Sequence, residues 1–177
     1  MNYASITNWR SNTAEIFESL RFKAVWANLS ARILGKNTRL KSLAALAFEL
    51  TSMRIYLGEQ DIPVCQINGS ASRENDFDSS FRPLKKHLRD RWIDIYSLFE
   101  SEQFPPIQLF KVGSDYYVKD GHHRVSVARA TNRLYLRAEV WEIPLQAKKA
   151  DCSFCLRAPG KRGQVAAQPW ITKGEVL

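Results

Sequence analysis

Ala14, Ile16, Phe17, Leu20, Ala24, Trp26, Leu29 and Ile33 recur at helical spacing, so the first stretch of the chain predicts a helix broken at Gly35-Lys36-Asn37. Thr38 then stands where an N-cap belongs. Leu40, Leu43, Ala44, Leu46, Ala47 and Leu50 make an apolar face for a second helix reaching about Tyr56. Two helices joined by a short turn can read DNA, but such faces more often pack on a neighbouring sheet. Leu84, Leu88, Trp92, Ile95 and Phe99 repeat about every four residues and predict an amphipathic helix that ends before Pro105-Pro106.

Period two replaces this spacing elsewhere. Val64 to Ile67 predicts a first strand, and Ile107 to Val112 a second. The turn Gly113-Ser114-Asp115 joins that second strand to Tyr116-Tyr117-Val118 as a hairpin. Leu134, Leu136, Ala138 and Val140 alternate with Tyr135, Arg137, Glu139 and Trp141, the pattern of a half-buried strand. The expected class is α+β: a small mixed sheet flanked by helices over residues 59–144, a helical extension over 1–58 and an aperiodic basic tail over 145–177.

Chemistry concentrates at Lys119-Asp120-Gly121-His122-His123-Arg124. A strand runs into a Gly turn and then into a helix carried by Val125, Ala128 and Ala130, with Asn132 just past its end. Asp120 is the expected N-cap, and Gly121 lets the backbone turn sharply and lets a ligand approach. Unpaired N–H groups at a helix start, joined by Arg124, form an anion site for which phosphate is the natural guest. The two histidines project about 100° apart and do not chelate one ion together; each can donate to a phosphate or move a proton.

The segment from Ile62-Pro63-Val64 through Ile143, and above all Asp120-Gly121-His122-His123-Arg124, resembles the ParB-like N-terminal domain of the ParB/sulfiredoxin superfamily. That covers about half the chain. The resemblance implies a ParB/sulfiredoxin-like fold whose turn, here Gly121, His122, His123 and Arg124, holds nucleotide phosphates. It also implies a nucleotide as ligand, with or without Mg2+. Where sulfiredoxins carry a nucleophilic Cys after the turn Gly, this chain has His122, so reduction of sulfinic acids lacks its nucleophile. Partition proteins show Gly-Glu-Arg-Arg, whose acidic residue is missing here. The Asp-Gly-His-His-Arg form is closer to the free serine kinases, whose acceptor-deprotonating carboxylate is assigned to no position here. Asp120, placed to orient the turn or to contact a magnesium ion or acceptor hydroxyl, and His122, able to move a proton, are the candidate catalytic residues.

Gly69 to Asp78 reads as a polar loop leaving the first strand. Arg73 is a candidate for a second phosphate. Asp76 and Asp78 flank Phe77 and at extended spacing share a face, so Asp76 is a candidate magnesium ligand. A solvated acidic loop with Phe77 in the core explains the same residues.

The net charge of +8 is uneven: residues 1–58 hold eight Lys or Arg against three acids, and 145–177 hold six against two. Between them the charges nearly balance, twelve against thirteen. Such flanks suit DNA or an acidic partner, and equally a plain solubilising surface. With no long apolar run and no leader-like start, the expectation is a cytoplasmic protein without a membrane partner. Cys65, Cys152 and Cys155 are expected to be free thiols, the lone Cys152-Ser-Phe-Cys155 pair lacking the partners of a zinc site. Three functions follow: a ParB-like nucleotide-binding protein, a small-molecule kinase or nucleotide hydrolase using the same turn, or a DNA-binding partition or regulatory factor without turnover.

Overall fold

The computed structural model describes residues 3–99 and 104–146, except the side chains of 3–8 and 48. Helix α1 (Tyr3–Ile33) is followed by a short strand β1 (Lys41–Ser42), a 3-10 turn (Ala44–Glu49) and strand β2 (Ile55–Pro63). A second 3-10 turn (Val64–Gln66) leads into β3 (Ile67–Ser70), and a third (Lys86–Leu88) into α2 (Arg89–Leu98). The hairpin β4 (Ile107–Val112) and β5 (Asp115–Asp120), helix α3 (His122–Ala130) and β6 (Tyr135–Glu142) complete the order. The class is α+β. The strands form one mixed sheet in the order β1-β3-β5-β4-β6-β2.

Three pairings are of interest for the site. β3 and β5 run parallel, with Ser70 level with Val118. β4 and β5 are antiparallel, as the hairpin reading expects, and β6 lies parallel on the far side of β4. The loop after β3 and the turn after β5 therefore leave the sheet at the same end, side by side. Ligands collect at the carboxyl ends of adjacent parallel strands for this reason.

One face of the sheet carries the helices. Ile67, Leu109, Val118, Val125, Ala138 and Val140 are buried there with Trp92 of α2 and Phe17 of α1. The Phe17 and Trp92 rings meet at 5.7 Å. Phe77 is fully buried in this core, as the loop reading allowed. Among the described residues no helix is long and apolar enough to cross a membrane.

Residues 38–56 do not form the expected helix. Leu40 joins the helix-side core, whereas Leu43, Leu46 and Leu50 pack against Phe110, Val112, Tyr117 and Ile143 in a second cluster. The chain serves two clusters by passing the sheet edge at β1, which one straight helix cannot do. β2 was not anticipated as a strand: only Ile62 in it is buried, so this edge strand has no alternation to read. Its place is fixed by backbone pairing with β6, from Ile55 opposite Glu142 to Pro63 opposite Tyr135. The expected first strand at Val64 to Ile67 is displaced: Val64–Gln66 is the 3-10 turn and the strand begins at Ile67. Cys152, Cys155 and the aperiodic segment from residue 147 lie outside the described residues.

Candidate anion site at the start of helix α3

Gly121 adopts φ +99°, and a Cβ there would sit 2.5 Å from Ile107 Cγ2. Glycine is required both by conformation and by space. Gly121, not Asp120, is the N-cap, and no side chain caps the helix. Asp120 instead accepts from Arg124 Nη2 at 2.8 Å and remains largely exposed. Arg124 also donates through Nη1 to the Pro105 carbonyl. The N–H groups of His122, His123 and Arg124 have no acceptor inside the helix; Val125 is the first to find one on this turn, Gly121 O at 3.0 Å.

The two imidazoles are buried, at 4% and 8% exposure. Ser70 Oγ lies 2.8 Å from His122 Nε2 and also accepts the backbone N–H groups of Ser72 and Arg73. With both acceptor positions of the hydroxyl used, its hydrogen points to Nε2, which leaves the His122 proton on Nδ1. His122 is stacked on Phe77 at 6.2 Å, while His123 meets the same ring edge-on at 5.5 Å. Burial first, then the Arg73 charge, lowers both histidines to about 4, so both are neutral at pH 7.

His123 has one further property. Its Nε2 faces Arg73 Nη1 at 3.5 Å, and because a guanidinium only donates, Nε2 is the acceptor and the proton sits on Nδ1. Among the described residues Nδ1 is buried with no partner. An unmade hydrogen bond of this kind costs about 1–3 kcal/mol and calls for an explanation.

His122, His123, Gly121, Asp120 and Arg124 all line one cavity of about 560 Å³. Arg73 and Arg91 reach it from the β3 loop and from α2, and His87 from the turn before α2. Three guanidinium groups therefore meet the helix start, against the single lining carboxylate of Asp120. Lys119 borders the cavity, but its ammonium lies 4.9 Å over the Trp141 ring. Arg91, His87 and Lys119 were not anticipated as lining residues. Arg91 carries no signal in the helical pattern, and only the packing of α2 beside α3 turns it toward the turn.

In the acidic loop the carboxylates are held by cations and backbone N–H groups. Asp76 pairs with Lys85 at 2.7 Å and with Arg73 at 3.6 Å. Burial opposes its ionisation, but Lys85 and Arg73 outweigh that and hold its carboxyl below the ordinary range. Asp78 is fully buried on Arg82 and the N–H groups of Ser80 and Arg82. The two carboxylates thus hold separate partners. No group of three metal-ligating side chains occurs among the described residues. Asp76 supports Arg73 from behind the cavity.

A larger cavity, about 690 Å³, opens near Cys65 and the far end of α3. Its most prominent cation, Arg129, is committed to the carbonyls of Ser79, Val64 and Ile67 and lies 5.0 Å over the Phe81 ring. The α3 start, with unmatched donors, is the better candidate. No family model, curated protein or solved structure matches this chain. The resemblance to ParB-like domains therefore rests on its residues alone.

Proposed function

We propose that this chain binds the phosphates of a nucleotide at the start of α3, as a ParB-like nucleotide-binding module. One observation carries the reading. Arg73, Arg91 and Arg124 converge with unused helix N–H groups on a cavity bordered by a buried imidazole whose Nδ1–H has no acceptor. An acceptor-rich, negatively charged guest would meet the guanidinium groups and the helix N–H groups lining this cavity, and oligophosphate is the guest that suits them best. The neutral state of both histidines suits them to donate hydrogen bonds, with the guanidinium groups supplying the charge.

The test is thermal stabilisation by ATP, ADP, CTP and pyrophosphate, each with and without magnesium, on the wild type and on Arg73→Ala. Ligand at about a hundred times its dissociation constant stabilises by roughly 2.7 kcal/mol. We expect a shift with at least one nucleotide that falls away in Arg73→Ala and weakens with salt. Equal shifts in both proteins place the site elsewhere, and no shift with any of the four ends the reading.

A phosphotransferase reading has one specific support. Asp120 is the carboxylate at this cavity, with its side chain 70% exposed, so an acceptor hydroxyl can reach it. Asp120→Asn separates the two readings: it abolishes turnover with binding retained if Asp120 is a base, and changes only binding if the protein is a module.

A further inference from the structure

We infer that the outward face of α1 is the contact surface of an antiparallel homodimer. The helix has two apolar faces. Phe17, Ala24 and Ala31 are buried against the body of the protein. At 100° per residue, Phe22, Trp26, Leu29 and Ile33 lie on the opposite side. They are 63%, 55%, 49% and 80% exposed, with Val25 beside them. A helix that only covers a sheet is polar on its outer side. Phe22 and Trp26 already meet edge to face at 5.8 Å, a preformed aromatic anchor.

Extent and charge decide what covers this face. Applying these exposures to side chains of about 150–250 Å² gives an apolar patch on the order of 500 Å². With its polar border the patch approaches the roughly 800 Å² that each partner contributes to a standard interface. The border is asymmetric. Glu15 and Glu18 flank the N-terminal end of the stripe, and Arg32 and Lys36 the C-terminal end. At 1.5 Å per residue, Glu15 and Glu18 precede the midpoint between Val25 and Trp26 by about 16 and 11 Å, Arg32 follows it by about 10 Å, and Lys36 stands just past the helix end at Ile33. A two-fold axis at that midpoint sets the acidic end of one helix beside the basic end of the other and Phe22 beside Leu29. Each contact is repeated by symmetry. Glu18 and Arg32 match at about 10–11 Å, although Glu18 also holds Arg21 at 2.9 Å. A parallel pair would set like charges together. An anionic membrane would find the acidic end of the stripe repulsive.

The mass of the full chain in solution, measured by light scattering across micromolar concentrations, tests this. We expect a dimer that Trp26→Glu converts to a monomer with its helical circular dichroism unchanged. Reversing the acidic end with Glu15→Lys and Glu18→Lys should raise the dissociation constant at least tenfold, and reversing the basic end as well with Arg32→Glu and Lys36→Glu should restore it. A monomeric wild type overturns the inference, as does a dimer that survives Phe22→Glu together with Trp26→Glu. Failure of the double charge reversal to rescue overturns the antiparallel geometry. Monomers captured by anionic lipid vesicles through Trp26 would assign the face to a membrane instead. None of these readouts depends on the α3 cavity.

Discussion

Ser70 Oγ lies 2.8 Å from His122 Nε2 while accepting two backbone N–H groups from its own loop. One hydroxyl thereby ties the end of β3, the start of α3 and the loop that delivers Arg73. Ser70→Ala leaves two loop N–H groups and one buried imidazole nitrogen without their partner. The expected cost is about 2–3 kcal/mol, read from denaturant midpoints at unchanged m. A loosened Arg73 should also weaken pyrophosphate binding in calorimetry. Wild-type stability in the Ala variant would contradict this arrangement.

Arg124 is a structural residue as well as a lining one, because it answers the Pro105 carbonyl and pairs with Asp120. Asp120 is largely exposed, so that pair contributes under about 1 kcal/mol. The carbonyl left without its donor matters more. Arg124→Ala should destabilise the free protein by about 2 kcal/mol and also remove ligand binding. Arg73→Ala, on a more exposed side chain, should lose binding at little structural cost. The two variants compared by chemical denaturation and ligand titration separate support from recognition.

Both histidines have folded values near 4 against an ordinary 6.5. The unfolded chain binds protons between those limits and the folded one does not, so stability rises with pH there. The contribution is complete above pH 6.5 and is lost as pH falls toward 4. Each group is worth at most about 3 kcal/mol across that window. His123→Leu should flatten the slope by one group and raise stability at pH 7, since it removes a buried donor with no acceptor. It should also weaken any pyrophosphate binding at the start of α3, a trade of stability against binding. Urea midpoints at pH 5 and pH 7.5 check both effects.

Gly121→Ala meets two obstacles, a positive φ and the Ile107 side chain at 2.5 Å. Strain of this kind costs about 1–3 kcal/mol before any clash is counted. We expect a Tm lower by several degrees, with the larger loss in ligand-induced stabilisation because the helix start itself moves. Scanning calorimetry with and without pyrophosphate resolves the two.

The local features of the site were legible in the residues. A Gly between a strand and a helix, followed by two His and an Arg, announced a turn with free donors, and the β4–β5 hairpin and β6 followed from their alternation. Where one residue type serves two purposes the reading misled: Asp120 resembled a cap but pairs with Arg124. Asp76, read as a candidate magnesium ligand, pairs with Arg73 and Lys85. Arg91 carried no signal of its own, because an exposed Arg on an amphipathic helix looks alike whether it faces water or a cavity.

The sequence alone determined most elements with strong internal period, the α+β class and the position of the Gly121 turn, because these depend on spacings within a few residues. Only the tertiary structure decided that residues 38–56 divide between two apolar clusters and that Ile55–Pro63 pairs at an edge. It also decided that β3 and α2 bring Arg73 and Arg91 to the same opening as the α3 start. Those outcomes depend on contacts between residues far apart along the chain, where burial and hydrogen-bond partners are shared and no local pattern records them.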